Sequence, residues 1–309
     1  MKKWKILLVG SKGQIGWELN RTLQYLGEVF VINREVNLEF SDETKIRSII
    51  KDLKPNIIIN TIAVTDVENA GNDLPNTMYI NSLFPKLLAE ISNQLNILLV
   101  HFSTDSVFDG SSEKKYKEFD QPNPLNLYSH SKLEGERMIQ KNCNCFIIFR
   151  ITWIYSIRRK NFVTSILQKA ILNQDLLIVN DQLGSPTWAR CIAEVTTLAL
   201  KYFLTNSIFK NRQINISKIY HISSPDFTNW FDFTKYLISE YNKKIFDTRS
   251  IITPISIRDL PSKVKRPVSS ILDSSLLNDE LNLSLPSWKS QVNFFLDDLF
   301  ASKSQSFKF

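Results

Sequence analysis

Short runs of branched apolar residues alternate with longer stretches of mixed apolar and polar positions through the first half of the chain. Ile6-Leu7-Leu8-Val9 is the kind of run that a parallel sheet buries on both faces, and it reads as a first strand. From Trp17 to Leu26 the apolar positions Trp17, Leu19, Leu23 and Leu26 fall on or near one helical face. Val29 to Ile32 then predicts a second strand and 44 to 53 a helix. Ile57 to Asn60 predicts a third strand, extended through Thr61 to Thr65. A helix over 76 to 94 leads to a strand from Ile97 to Phe102, a later helix carries Tyr128, and Cys145 to Tyr155 supplies another strand. Alternation of this kind predicts an α/β fold with a doubly wound parallel sheet over residues 1–155.

Beyond residue 155 the periodicity blurs. Phe162 to Leu172 reads as helix, Leu176 to Val179 as extended, Ala189 to Leu204 as helix, Ile219 to Ser223 as strand and Asn229 to Tyr241 as helix. Residues 156–301 are expected to form mainly a second, smaller α/β domain, with segments near 189–230 returning to the first and 302–309 as a loose tail. No internal repeat is evident.

Composition narrows the function classes. At 309 residues, 43% hydrophobic and 22% charged, the chain is an ordinary globular protein. No stretch approaches the roughly 18 to 20 apolar residues of a membrane span. The basic front at Lys2-Lys3 with the apolar run behind it imitates a signal peptide, but the run is short and a glycine turn follows at once. Cys143, Cys145 and Cys191 are too few for a disulfide framework or a zinc site, which suits the cytoplasm. His101, His130 and His221 stand singly, so no metal site is expected. The net charge of +7 is spread among acidic residues rather than gathered in a block, which argues for anionic small molecules and against nucleic acid.

Candidate chemistry begins at Gly10-Ser11-Lys12-Gly13-Gln14-Ile15-Gly16. Three of only 8 glycines fall there, between a strand and a helix, where glycines let the backbone approach a pyrophosphate at a helix N-terminus. At the end of the second strand Asn33-Arg34 replaces the acidic residue that would accept ribose hydroxyls. An arginine there can meet a 2′-phosphate, which favours NADPH over NADH; the plainer alternative is that Arg34 stacks on adenine or lies in solvent. Tyr128 and Lys132 are four residues apart and share a helical face, a spacing that suits a proton shuttle. A nearby cation favours the phenolate form, so Lys132 is expected to depress the Tyr128 pKa. In a lysine-rich chain such a spacing also arises by chance, so its context decides. Ser103-Thr104-Asp105 lies just past the end of a strand, where open α/β sheets place their ligands; the plainer alternative for Thr104 is a capping or turn hydroxyl.

Taken in order, these motifs resemble the extended short-chain dehydrogenase/reductases and, among them, the dTDP-4-dehydrorhamnose reductase family. The likeness runs from about residue 5 to about residue 300. It rests on the GxxGxxG turn and YxxxK, on Val107-Phe108-Asp109-Gly110, and on Pro124-Leu125-Asn126. Arg150 with Trp153 and Tyr155, Asn161-Phe162, Asn180-Asp181-Gln182 with Gly184-Ser185-Pro186-Thr187, Arg266-Pro267 and Leu285-Pro286 with Trp288 extend it. The resemblance implies a Rossmann-type cofactor domain, a substrate-binding second domain, and Thr104, Tyr128 and Lys132 as the catalytic group. In that scheme Thr104 bonds the sugar ketone, Tyr128 protonates it and Lys132 holds the nicotinamide ribose. The cofactor, NADPH or NADH, would meet Gly10, Gly13, Gln14, Ile15, Gly16, Asn33, Arg34, Glu39, Ala63 and Thr65 as well as Tyr128 and Lys132. The nucleotide sugar would meet Thr104, Asp105, Ser106, Trp153, Asn161, Gln182, Ser185 and Arg266; Trp153 could equally be a core tryptophan. A monomer or homodimer is expected, and no acidic cluster matches the magnesium site of some family members.

Departures from the family pattern gather in the cleft. Ser106 stands where a tyrosine is usual, Arg150-Ile151-Thr152-Trp153 where Arg-Thr-Ser-Trp is usual, and Thr65-Asp66-Val67-Glu68-Asn69-Ala70-Gly71 lacks a final glutamate. The expected activity is reduction of the 4-keto group of a nucleotide-activated 6-deoxysugar for surface polysaccharide. The alternatives are a ketoreductase for another deoxysugar and a cofactor-binding regulatory subunit resembling the beta subunit of methionine adenosyltransferase.

Overall fold

A computed structural model describes residues 4–33, 40–209, 216–244, 248–259, 262 and 264–303. The apolar runs form the strands of one six-stranded, wholly parallel sheet in the order β10-β5-β4-β3-β1-β2. These are β1 (Trp4–Val9), β2 (Gly27–Ile32), β3 (Ile57–Asn60), β4 (Leu98–Thr104), β5 (Phe146–Ile151) and β10 (Ser217–Ile222). Side chains alternate across the sheet, so each run feeds two cores. Ile6, Leu8, Ile57, Ile59, Val100 and Phe149 pack on one face, with α1 (Gln14–Thr22) and α7 (Ala189–Phe209). Leu7, Val9, Ile58, Leu99 and Ile148 pack on the other, against α2 (Glu43–Leu53) and α4 (Phe84–Leu95). The fold class is the one expected, a Rossmann-type α/β sheet, and α7 and β10 both lie in this first lobe.

A third core, centred on Tyr155, Phe233, Trp288 and Phe295, holds the second lobe together. It is built from α6 (Phe162–Ile171), α8 (Trp230–Asn242) and α10 (Trp288–Lys303), with β7 (Leu176–Val179) paired in parallel to β12 (Ile252–Ile255). Two-residue strands complete it: β6 (Ile154–Tyr155) pairs β9 (Thr187–Trp188), and β8 (Leu183–Gly184) pairs β11 (Thr228–Asn229). A short α9 (Ser275–Leu281) packs its Leu277 into the first lobe. Arg190 of α7 reaches Glu18 of α1 at 3.4 Å and Asp298 of α10 at 2.5 Å, tying the lobes by charge.

Several elements differ from the expected ones. The first helix begins at Gln14, directly on the glycine turn, and the chain after Asn60 is irregular rather than extended strand. The predicted strand from Cys145 to Tyr155 is two, because Trp153 takes a left-handed φ of +39° that no strand accommodates. The helix over 76 to 94 is α3 (Leu74–Met78) and α4 joined by one wider π turn, Tyr79–Leu83. The C-terminal helix runs to Lys303, so the expected tail at 302 begins inside it; residues 304–309 lie outside the described residues.

Candidate active site

The first βα turn, the loop after β3 and the ends of β4 and β5 meet at one edge of the sheet, the edge where open α/β folds place ligands. The glycine turn is shaped by contacts within the chain. Gly10 has a φ of +96°, and Thr61 donates its hydroxyl to the carbonyls of Val9 and Gly10 at 2.9 Å each. A Cβ on Gly16 would stand 2.1 Å from the Gly10 carbonyl oxygen, so only glycine lets the helix come this close. Gly13 is different: a Cβ there would have only the Gly10 oxygen within reach, at 3.6 Å.

That open space is a groove of about 410 Å³ lined by Gly10, Lys12, Gly13, Gln14, Ile15 and Asn33, by Thr61 through Thr65, and by Arg159 and Lys160. Asn33 exchanges hydrogen bonds with Ser11 of the turn. Arg34 and Glu39 lie outside the described residues. Lys12, Arg159 and Lys160 bring positive charge to the groove, and none of the three is among the residues expected from sequence to meet the cofactor. Arg159 comes from a segment strapped across the turn by three contacts: its Nε donates to the Lys12 carbonyl at 2.9 Å, Ser156 bonds Gln14 at 3.1 Å, and the Arg158 guanidinium lies 3.9 Å over the Trp17 ring. No local motif marks such a strap, since its partners are 142 and 147 residues away in sequence.

Tyr128 and Lys132 lie on α5 (Leu127–Asn142), capped by Asn126, whose side chain accepts from the Ser129 N–H. Both are buried. Lys132 Nζ donates to the Phe102 carbonyl at 2.7 Å and lies 3.3 Å from His101 Nε2. Burial pulls its pKa down to about 8, against the attraction of Glu136. For Tyr128 the expected depression does not appear. Burial pushes the phenol up to about 12, a hydrogen bond with Thr104 works downward, and the Asp105 charge adds to the rise. Lys132 is committed to Phe102 and His101, so within the chain itself burial decides.

Thr104 sits beside Tyr128 at the end of β4, with its hydroxyl donating to Asp105 at 3.1 Å and accepting from the Ser106 N–H at 3.2 Å. Asp105 is itself buried and takes a further bond from Thr152 at 2.7 Å; Ser270 also bonds it. Its carboxylate therefore braces Thr104. Ser106 is half-buried.

The residues expected around a sugar are largely engaged with other parts of the chain. The Trp153 ring stacks on Trp230 at 3.5 Å and 4°, and lies so close to Gly184 that a Cβ there would be 2.2 Å from its ring. Trp230 donates to Gln182, whose amide donates on to the Pro267 carbonyl, both at 3.0 Å. Asn161 caps α6: its Oδ1 accepts from Thr164 and its Nδ2 donates to the carbonyls of Ser156 and Arg159. Arg266 pairs with Glu68 at 2.5 Å, which joins a second-lobe loop to the loop after β3. Ser185 is the exception, buried with its hydroxyl unpartnered.

Beneath the site the polar frame is exacting. Asn81, in the π turn, bonds both the N–H and the carbonyl of Val64 and also Ser131 of α5. Gly135 fits α5 against that turn, since a Cβ there would lie 2.1 Å from the Asn81 carbonyl oxygen. Glu136 and Arg150 form a fully buried two-pronged ion pair at 2.9 and 2.7 Å. Among the described residues no group of His, Cys, Asp and Glu is arranged to hold a metal, and no helix is long and apolar enough to cross a membrane.

A glycine turn on a parallel sheet, a basic groove above it and a buried tyrosine and lysine one helical turn apart define the class: a dinucleotide-binding protein of the short-chain dehydrogenase/reductase kind. Comparison with known proteins narrows this. The chain belongs to the family described as the RmlD substrate binding domain, whose model matches residues 4–301. It is 34% identical to a dTDP-4-dehydrorhamnose reductase of Burkholderia thailandensis, over 96% of this chain and 99% of that one. It is 30% identical to the enzyme of the same name from Escherichia coli K12, over 96% and 98%. Among solved structures, a dTDP-4-dehydrorhamnose reductase from Bacillus anthracis in complex with NADP superposes with a TM-score of 0.83 at 26% identity, covering 96% and 99%.

Proposed function

We propose that the protein reduces the 4-keto group of a nucleotide-activated 6-deoxysugar, dTDP-4-dehydrorhamnose above others, with NADPH as the preferred cofactor and NADH as the lesser one. The observation that carries the reading is the placement of Thr104, Tyr128 and Lys132 at the sheet edge that also bears the groove over the glycine turn. The groove suits a dinucleotide: Gly13 leaves its floor open, no carboxylate lines it among the described residues, and Lys12, Arg159 and Lys160 supply charge for a diphosphate. When bound, the cofactor supplies the hydride.

Each chain residue then has a task. Tyr128, fully protonated at neutral pH, is the general acid for the ketone oxygen. Thr104, held by Asp105 and the Ser106 N–H, fixes the phenol's direction. Lys132 places positive charge behind the tyrosine, which stabilises the phenolate left when the proton departs. Trp153, backed by Trp230, would offer its remaining face to the sugar. The reading carries with it a role in surface polysaccharide synthesis, as a monomer or homodimer, and a cytoplasmic location.

Purified protein given NADPH and a panel of dTDP- and GDP-linked 4-keto sugars tests this through loss of nicotinamide absorbance. Turnover fastest with dTDP-4-dehydrorhamnose is the expected result. Turnover fastest with another sugar moves the reading to a different deoxysugar, and cofactor binding without turnover of any of them moves it to a regulatory subunit.

A further inference from the structure

Lys132 is shared between two strands through one histidine. His101 is buried in β4 and pairs in register with Asn60, the last residue of β3. The orientation of Asn60 is fixed by the backbone, because the Ile62 N–H donates to its Oδ1 at 3.1 Å. Its Nδ2 is therefore the atom 3.2 Å from His101 Nδ1. An amide nitrogen can only donate, so Nδ1 must present its lone pair and the single proton of a neutral imidazole must sit on Nε2. An imidazolium is excluded by the same contact, and burial together with Lys132 holds His101 well below its usual range.

Nε2 lies 3.3 Å from Lys132 Nζ. An ammonium has three donors and no acceptor, so an Nε2–H facing it sets donor against donor, whereas a neutral amine can accept that bond and still donate to Phe102. We propose that His101 is a positioning residue for Lys132: Asn60 locks the imidazole as the Nε2–H tautomer, and this N–H weights the lysine towards its uncharged form. The other charged groups around the lysine act from different sides. Glu136 on the same helix favours the ammonium but shares its carboxylate with Arg150 of β5, and Asp105 faces the tyrosine. From β3 only the neutral Asn60 approaches. The lysine is thus poised between two opposed neighbours, and its lowered pKa accords with that balance.

The role of Lys132 beside Tyr128 rests on the reductase reading, but the tautomer does not, so the two can fail separately. The chain has 3 histidines, which makes ¹⁵N-histidine spectra tractable. His101 should appear as the Nε2–H tautomer throughout the neutral range. His221 should show the opposite one, because its Nδ1 faces two carbonyl acceptors, of Tyr116 and Asp273, at 3.2 Å. An Nδ1–H tautomer or an imidazolium at His101 overturns the proposal. His101→Gln can turn an amide oxygen to the lysine, and should move the alkaline limb of kcat/KM upward by about 0.5 to 1 pH unit, the size of one hydrogen bond. Asn60→Asp, which can hold a proton on Nδ1, should move the limb the same way and switch the tautomer. Limbs that stay in place in both variants overturn the proposal even if turnover falls, since damage to packing lowers rates without moving a titration. A wild-type protein that oxidises no NADPH with any keto sugar defeats the reductase reading and leaves the tautomer result standing.

Discussion

Two glycines of the same turn should respond to the same substitution in opposite ways. Gly16→Ala places a methyl group 2.1 Å from the Gly10 carbonyl oxygen and 2.8 Å from Thr61 Oγ1. Neither neighbour can retreat freely, because the first is backbone and the second holds the turn through two hydrogen bonds. Overpacking of this kind costs about 1–3 kcal/mol of stability. Gly13→Ala meets nothing closer than 3.6 Å, and its backbone at φ −76° and ψ 171° is open to alanine. The unfolded state loses freedom worth about 0.4–1 kcal/mol, while alanine is a poorer helix N-cap by a similar amount, so stability should barely change. The new methyl does, however, occupy the groove. Loss of close, charge-assisted contact with a pyrophosphate, at about 1.5–3 kcal/mol, weakens NADPH binding roughly 10- to 150-fold. Thermal unfolding and NADPH fluorescence titration, run on both variants, separate the effects. The reasoning is refuted if Gly13→Ala binds NADPH within two-fold of wild type, or if it destabilises the fold as much as Gly16→Ala.

Tyr128→Phe keeps the ring and removes the acid, so turnover should drop by about 10²–10⁴-fold with cofactor binding intact; activity within a few-fold of wild type ends that assignment. The pH profile of kcat/KM should fall above about 8 as Lys132 loses its charge, since Tyr128 at about 12 still holds its proton there. A profile level well past that point contradicts the shift. The unfolded chain binds the lysine proton more tightly between pH about 8 and 10.5, so this group's contribution to stability improves as pH rises through that window, which thermal melts can follow. Glu136→Gln leaves the buried Arg150 guanidinium without its two-pronged carboxylate partner and should cost about 3–5 kcal/mol by urea unfolding; a loss below about 1 kcal/mol would show the pair to be less isolated from water than its geometry says. Ser106→Tyr should shift the kcat/KM ratio between dTDP-4-dehydrorhamnose and other keto sugars, and an unchanged ratio would place Ser106 outside the pocket.

The first lobe was legible because its strands are continuous apolar runs: β3 occupies the expected Ile57–Asn60, and the glycine turn and YxxxK are read over a few adjacent residues. Contacts between distant segments leave no such trace. His101 meets Lys132 across 31 residues, and Ser270 reaches Asp105 across a far longer span. The engagement of Asn161 and Gln182 was equally hidden, because a cap and a bridge to Trp230 use the same amide that a ligand contact would. In α10 the adjacent Phe294 and Phe295 point apart, the first 52% exposed and the second buried, which masks the helical period that a core-facing stripe displays. At Trp153 the strand pattern runs on unbroken through a backbone turn that residue type does not announce.

The π turn at Tyr79–Leu83 makes chain length itself a determinant of the site. A helix that carried one residue fewer there would close into regular α geometry and lose the bulge, while the turns on either side keep their faces. Asn81 would swing away from Val64 and Ser131, and the loop bordering the groove would lose its anchor to the helix of Tyr128. Gly135 would at the same time face a differently placed carbonyl, so the notch that admits the bulge would become a void. Substitutions on the outer side of this helix can therefore be absorbed, while a single-codon deletion, silent in composition and hydrophobicity, dismantles the support of the groove and the acid together.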